Sequence, residues 1–121
     1  MSEKTVLIVE DDKEAVEMYV MFFESQGFEI VGKCDNGKEA IKIMTEKQPK
    51  AVLLDIGLKG ELTGLDVLKE VANLLNISKV IVVSAYPEHE EKSISLGAFG
   101  FIKKPVLAQP LKQKFNEALN T

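Results

Sequence analysis

Short apolar runs rich in valine, isoleucine and leucine alternate along this chain with longer segments of helical period. The runs lack the strict apolar–polar alternation of half-exposed strands, which is typical of strands covered on both faces. Strands that alternate with helices predict a parallel sheet with right-handed crossovers. The sequence therefore predicts a three-layer α/β/α sandwich of five strands and five helices.

The boundaries of these elements follow from the apolar runs, the apolar stripes and the capping residues. Strands are expected over residues 5–10, 28–34, 51–55, 79–84 and 99–103, and helices over residues 12–25, 37–47, 64–75, 88–96 and 108–119. Asp12 and Asn36 are placed to cap the first two helices, Gly27 ends the first, and Pro87 starts the fourth. The stripe of the third helix is Leu65, Leu68, Val71, Ala72 and Leu75.

Length and composition bound the class of protein. The 121 residues predict one domain over residues 1–121, with 45% hydrophobic and 28% charged residues. A net charge of −4 argues against a broad nucleic-acid or membrane surface. No apolar run approaches the roughly 20 residues of a membrane span, and no signal-peptide core is evident. The single cysteine, Cys34, fits a reducing compartment, so the expected location is cytoplasmic.

Polar residues of complementary chemistry stand where the apolar runs end. Asp55 follows Ala-Val-Leu-Leu, and Glu10 and Asp11 follow Val-Leu-Ile-Val. Ser84 ends the fourth run, and Lys104 ends the fifth. Because open α/β sheets carry their sites at the carboxyl ends of parallel strands, we expect these side chains to converge at one edge.

The chemistry of this set suits a cation and a phosphoryl group. The carboxylates of Glu10, Asp11 and Asp55 would repel one another unless a divalent cation lay between them. Oxygen ligands without histidine or cysteine favour Mg²⁺ over zinc. A carboxylate such as Asp55 can act as a nucleophile toward phosphorus, while Ser84 and Lys104 can bind phosphoryl oxygens.

Four neighbouring residues have less specific expectations. Phe101 is either a core residue or a mobile ring, and Lys103 is expected on the face of the sheet opposite Lys104. His89, the only histidine, lies in a polar stretch and is expected on a solvated helix face. The bond before Pro105 is an X-Pro bond, for which both isomers stay open.

In this order the residues resemble the receiver domain of two-component response regulators, in particular the stand-alone type found in chemotaxis and sporulation relays. The resemblance extends from Lys4 to Leu119. It rests on four strand-end motifs, which are Val-Glu-Asp-Asp, Leu-Leu-Asp, Val-Ser-Ala and Phe-Ile-Lys-Lys-Pro. It implies a flavodoxin-like fold with strand order 2-1-3-4-5.

The resemblance also implies a function. Asp55 would accept a phosphoryl group from a sensor histidine kinase or a histidine phosphotransfer protein, with Mg²⁺ as cofactor. Asp11 would ligate the metal directly and Glu10 partly through water, together with Asp55 and the backbone carbonyl of Gly57. Ser84 and Lys104 would bind the phosphoryl group.

The output implied by the resemblance is a conformational switch, not an enzyme activity on a separate substrate. Ser84 and Phe101 match the switch positions. They would change the face formed by the fourth helix, the fifth strand and the fifth helix, which a downstream protein reads. No direct contact with nucleic acid or membrane is expected. The protein is expected to be a monomer or a phosphorylation-dependent dimer.

The chain departs from the family in the loop after Asp55, which is longer and has Thr63 where an aspartate is common before the glycine, here Gly64. Gly57 has no side chain to orient a hydrolytic water, and Tyr86 is bulky enough to cover an acyl phosphate. These two residues predict slow self-dephosphorylation.

Three other functions are compatible with such a fold. A flavodoxin-like cofactor binder needs a phosphate-cradling loop after the first strand, but this loop is acidic. An aspartate-based phosphatase typically has a second aspartate where Gly57 stands. A pseudo-receiver that only binds partners usually lacks one site residue, and none is missing here.

Overall fold

The computed structural model describes residues 4–120, which form one parallel sheet flanked by helices. The strands are β1 (Thr5–Val9), β2 (Glu29–Cys34), β3 (Ala51–Asp55), β4 (Lys79–Ser84) and β5 (Gly100–Lys103). The helices are α1 (Lys13–Ser25), α2 (Gly37–Lys47), α3 (Gly64–Glu70), α4 (His89–Ser95) and α5 (Ala108–Leu119). The strand order is β2-β1-β3-β4-β5, with every pairing parallel. The predicted flavodoxin-like α/β/α fold is therefore confirmed.

Each central strand sends alternate residues into two separate apolar layers. In β3, Val52 and Leu54 pack with residues of α2 and α3, in what we call the α2–α3 layer. Ala51 and Leu53 pack with residues of α1 and α5, in the α1–α5 layer. Because helices cover both faces, the strand positions on either side of the pleat are apolar, which accounts for the continuous runs in the sequence.

The third predicted helix is shorter than expected. It ends at Glu70, and a 3₁₀ helix over Ala72–Leu74 follows. Residues three apart lie on the same side of a 3₁₀ helix, so Val71 and Leu74 are both buried while Ala72 is exposed. The prediction that Ala72 belongs to the apolar stripe is wrong for this reason.

The predicted caps hold for the first two helices. The Asp12 side chain accepts a hydrogen bond from the Glu14 amide, and the Asn36 side chain accepts one from the Glu39 amide. Gly27 follows α1 with φ +82°, a conformation that favours glycine. Pro87 lies in the turn before α4, two residues ahead of the first helical residue, so its predicted place in that helix is wrong.

Candidate functional site

Three carboxylates meet at the carboxyl end of the sheet. Because β1 and β3 are neighbours, Glu10, Asp11 and Asp55 come together, each offering an oxygen within 4.8 Å of the others. Glu10 is 2% exposed and Asp55 is 5% exposed. This places negative charge in a region with little solvent to screen it.

Lys104 provides the positive charge of this site. Its Nζ donates a hydrogen bond to Asp55 Oδ2 at 2.9 Å and lies 3.4 Å from Glu10 Oε1. Burial lowers the pKa of Lys104, but the hydrogen bond that Lys104 donates to Asp55 and the charges of Asp55 and Glu10 outweigh burial, so the net pKa is raised. One ammonium among three carboxylates leaves an excess of two negative charges, which a divalent cation would neutralise.

Glu10 contains the one buried side-chain oxygen or nitrogen among residues 4–120 that lacks a hydrogen bond. Its Oε2 accepts from the Asp12 amide at 3.2 Å, but Oε1 has no hydrogen-bond partner, since Lys104 contacts it only as an ion pair. Burial, followed by the nearby Asp55 carboxyl, raises the pKa of Glu10 to about 7. A buried carboxylate oxygen without a hydrogen bond, beside two other carboxylates, fits the hard oxygen ligands that Mg²⁺ requires.

The loop after β3 passes close to the strand end. Asp55 Oδ1 accepts from the Gly57 amide at 3.2 Å. A Cβ at Gly64 would lie 2.5 Å from the Asp55 carbonyl oxygen, so only glycine fits there without a shift of the backbone. Thr63, which departs from the family pattern, forms a capping box with Asp66 at the start of α3. The longer loop therefore keeps an N-cap where the family commonly has aspartate.

A cleft of about 310 Å³ opens beside Asp55. It is lined by Asp11, Asp55, Ile56, Gly57, Ser84, Ala85, Tyr86, His89 and Lys104. The Phe101 side chain instead packs in the α2–α3 layer and is 8% exposed, so it is a core residue in this structure. Lys103 is exposed, as strand alternation predicts, and the Lys104–Pro105 bond is cis.

The prediction that His89 lies on a solvated helix face is wrong, because the residue is half-buried beside this cleft. Its Nδ1 forms a hydrogen bond of 2.8 Å with Ser84 Oγ, and its ring packs edge-to-face against Tyr86 with centroids 5.5 Å apart. The polar residues around His89 suggested a solvated helix face. The signal that could have located it is its place as the first residue of α4, just across a short turn from the end of β4.

Comparison with known proteins is consistent with this geometry. Residues 6–116 match the response regulator receiver domain family. A Pseudomonas aeruginosa protein named as a transcriptional regulator is 37% identical over 102 residues, covering 82% of this chain and 48% of the relative. The chain thus spans about half the length of that relative. The chemotaxis protein CheY of Thermotoga maritima is 35% identical over 119 residues, covering 97% of this chain and 95% of the relative.

A solved structure has the same fold. A chain in the CheX–CheY–BeF₃–Mg complex of Borrelia burgdorferi superposes with a TM-score of 0.87 at 26% identity, covering 94% of this chain and 87% of the matched chain. The family match, the strand order and the similarity along nearly the whole length of a chemotaxis regulator agree. The chain therefore belongs to the receiver domains of two-component response regulators, a family of phosphorylation-dependent signalling regulators.

Proposed function

We propose that this chain is a phosphorylation-activated switch that accepts a phosphoryl group on Asp55 from a phosphohistidine of a sensor histidine kinase or a phosphotransfer protein. The observation that carries the proposal is the position of Asp55, a nearly buried carboxylate hydrogen-bonded to Lys104 beside two further carboxylates. The proposed unit is one receiver domain over residues 1–121. It acts on no separate substrate.

The proposed cofactor is Mg²⁺. Glu10, Asp11, Asp55 and the backbone carbonyl of Gly57 would hold it, and the lack of a hydrogen bond at the buried Glu10 Oε1 supports this ligand set. When bound, the ion would neutralise the carboxylates and the incoming phosphoryl oxygens. The CheX–CheY complex of Borrelia burgdorferi, which contains BeF₃ and magnesium, supports the same cofactor here.

In the proposed transfer, an Asp55 carboxylate oxygen attacks phosphorus, and the bond between phosphorus and the donor imidazole nitrogen breaks. The imidazole leaves with the bonding electron pair. Lys104 and Ser84 bind phosphoryl oxygens, and the Gly57 amide already orients the Asp55 carboxylate. The protein's contribution is positioning and charge stabilisation, as in other phosphoryl transfers.

The proposed output is a change in the face formed by α4, β5 and α5. A phosphoryl group on Asp55 adds about two negative charges and strong acceptors. Ser84 moves toward it, and the ring of Phe101 settles in the space that Ser84 leaves. A downstream protein effector that binds one arrangement better shifts the equilibrium between the two.

The proposed setting is the cytoplasm, with the protein as a monomer or a dimer formed on phosphorylation. No helix within residues 4–120 is long and apolar enough to cross a bilayer. The net charge of −4 supports a protein effector over direct contact with nucleic acid. The relative named as a transcriptional regulator matches over only 48% of its length, so its name does not assign DNA binding to this chain.

Intact mass measurement after incubation with Mg²⁺ and acetyl phosphate tests the phosphorylation. We expect one phosphoryl adduct on the wild type, none on Asp55→Ala, and none in EDTA. Asp12→Ser is the matched control, because it removes a neighbouring carboxylate but keeps an N-cap side chain on α1. An adduct that survives in Asp55→Ala would contradict the proposal.

The proposed self-dephosphorylation is slow. Gly57 has no side chain to position a water, and Tyr86 lines the same cleft. A Cβ at Gly57 would meet nothing within 4 Å, so Gly57→Asn adds an amide without a clash. We expect this variant to lose the phosphoryl group roughly tenfold faster, because an oriented water gains proximity to phosphorus. Equal lifetimes of variant and wild type by intact mass would refute the role of Gly57.

A further inference from the structure

The hydroxyl of Ser84 forms one hydrogen bond with the turn and one with the helix that follow its strand. Ser84 is 3% exposed. Its Oγ accepts a hydrogen bond from the Tyr86 amide at 3.1 Å and forms a second one, of 2.8 Å, with His89 Nδ1. Among the described residues, the Ser84 side chain forms hydrogen bonds with these two partners and none with Asp55 or Lys104.

The pleat of the sheet separates Ser84 from the charged residues. Along β4, Val80 and Val82 point into the α2–α3 layer, and Ser84 continues that series. Along β3, Ala51 and Leu53 point into the α1–α5 layer, the series that Asp55 continues. A Ser84 hydroxyl held by His89 must therefore turn away from α4 to reach a phosphoryl group on Asp55.

His89 is held firmly enough to compete for that hydroxyl. Its ring packs edge-to-face on Tyr86 at an interplanar angle of 71°. Its amide donates to the Tyr86 carbonyl at 3.1 Å, and its carbonyl accepts from Ser93 Oγ at 2.7 Å. Because backbone and ring are both fixed, little side-chain entropy is lost when Nδ1 binds the hydroxyl.

We propose that His89 is a positioning residue that keeps the switch off by holding the Ser84 hydroxyl. The proposal rests on phosphorylation of Asp55. In the proposed arrangement Nδ1 is the unprotonated ring nitrogen of His89 and accepts the hydroxyl proton. A serine hydroxyl has a single proton, so in this arrangement Ser84 cannot donate both to Nδ1 and to a phosphoryl oxygen. Phosphorylation exchanges one hydrogen bond for the other. The exchange removes the only described side-chain hydrogen bond between the end of β4 and the first residue of α4, and it therefore transmits the signal directly to α4.

Removing the competing bond should favour the phosphorylated arrangement. His89→Phe keeps a ring against Tyr86 but has no acceptor for the Ser84 proton. We expect His89→Phe to bind BeF₃⁻ with Mg²⁺ about two- to tenfold more tightly than the wild type, the range set by one net hydrogen bond. His89→Asn, which places an amide oxygen near the position of Nδ1, should restore affinity toward the wild-type value.

A double-mutant cycle separates this role from a general effect on folding. In a Ser84→Ala background there is no hydroxyl to hold, so His89→Phe should leave the affinity for BeF₃⁻ unchanged. The titration is followed by NMR on the full chain. An equal effect of His89→Phe with and without Ser84 would overturn the proposal, as would His89→Phe binding no more tightly than the wild type.

The imidazole itself gives a direct readout, because His89 is the only histidine of the chain. With ¹⁵N-labelled histidine, the Nδ1 signal should shift when BeF₃⁻ and Mg²⁺ are added to the wild type and stay unchanged in Asp55→Ala. The signal of Ser84→Ala should start near the shifted position. Binding of BeF₃⁻ without a shift of Nδ1 overturns the role of His89 alone. Failure to bind BeF₃⁻, with no acetyl phosphate adduct, overturns the phosphorylation and this inference together.

Discussion

The two ends of the parallel sheet differ in whether their buried polar groups are hydrogen-bonded. At the amino end, the fully buried Ser78 donates a hydrogen bond to the Pro49 carbonyl at 2.5 Å. The Thr5 hydroxyl there accepts from the Lys50 amide at 2.9 Å. At the carboxyl end, Glu10 Oε1 is buried with no hydrogen-bond partner beside two further carboxylates. At the amino end these polar groups are hydrogen-bonded within the protein, whereas at the carboxyl end a carboxylate oxygen is available to a ligand.

This difference has an energetic meaning. A buried polar group with its partner contributes modestly to stability, whereas one without a partner lowers stability by its full desolvation penalty. Among residues 4–120, the one buried side-chain oxygen or nitrogen without a hydrogen bond lies at the end of the sheet where a cation would compensate that penalty. A variant at the carboxyl end should therefore change how stability depends on pH and on Mg²⁺, whereas a variant at the amino end should leave both dependences as in the wild type.

The largest expected effect is at Glu10 in the metal-free protein. Its pKa is about 7 in the folded state and 4.5 in the unfolded reference. The stability that protonated Glu10 contributes is therefore fully present below 4.5 and is lost as pH rises through about 7. The loss is at most about 3 kcal/mol. Glu10→Gln, which cannot ionise, should lack it.

Urea unfolding in EDTA at about pH 5 and about pH 8 measures this effect, and other titrating groups cancel in the difference between wild type and variant. Mg²⁺ should restore the wild type at the higher pH, because a bound cation favours the ionised carboxylate. It should stabilise Glu10→Gln less. If the free energy of unfolding of the two proteins depended identically on pH, Glu10 would ionise without a loss of stability. The two ends of the sheet would then not differ in how their polar groups affect stability.

Ser78 tests the amino end. Ser78→Ala leaves the buried Pro49 carbonyl without its donor, so we expect the free energy of unfolding to fall by about 2 kcal/mol. The loss should be the same at both pH values, and the gain from Mg²⁺ should equal that of the wild type. Ser95→Ala is the matched control, since its hydroxyl bonds the Lys92 carbonyl at an exposed site. A change in Mg²⁺ affinity in Ser78→Ala would argue against separate roles for the two ends.

Lys104 tests whether a lysine ammonium and Mg²⁺ compete for the carboxylates at the carboxyl end of the sheet. Its ammonium, 2.9 Å from Asp55 Oδ2, partly neutralises the negative potential that would attract a cation. Lys104→Met should therefore tighten Mg²⁺ binding by the unphosphorylated protein about tenfold, as measured by calorimetry. Lys103→Met is the matched control, because this neighbour is exposed on the other face. Weaker binding in Lys104→Met would mean that the lysine organises the carboxylates instead of competing with Mg²⁺.

Much of the fold could be predicted from the sequence, because it depends on periodicity that is visible along the chain. Continuous apolar runs revealed strands buried on both faces, and Asp12 and Asn36 marked helix starts through their capping chemistry. The end of α3 could not be predicted, since the change to a 3₁₀ helix depends on how Val71 and Leu74 meet the rest of the core.

The sequence predicted that Glu10, Asp55 and Lys104 would lie close together, because the carboxyl ends of parallel strands meet at one edge of a sheet. This prediction requires only that the strands be parallel. It could not reveal that Glu10 Oε1 has no hydrogen-bond partner, because whether one oxygen forms a hydrogen bond depends on distances of tenths of an ångström. It also missed His89, whose contact with Ser84 depends on where α4 begins. Local pattern thus predicts which residues approach the site, and tertiary geometry decides how each one is held.

The smallest expected effect is at Thr63, which lies near the carboxyl end but has its partners. Its side chain accepts from the Asp66 amide, and its own amide donates to Asp66 Oδ2 at 2.9 Å. Thr63→Ala should lower the free energy of unfolding by about 1 kcal/mol, whereas Thr63→Asp should retain the cap. Thermal unfolding with and without Mg²⁺ should show the same loss. If instead Thr63→Ala weakened Mg²⁺ binding, the helix cap would be coupled to Gly57 through the loop. The effect of a polar residue on Mg²⁺ binding would then depend on its location at the carboxyl end of the sheet more than on whether it has a hydrogen-bond partner.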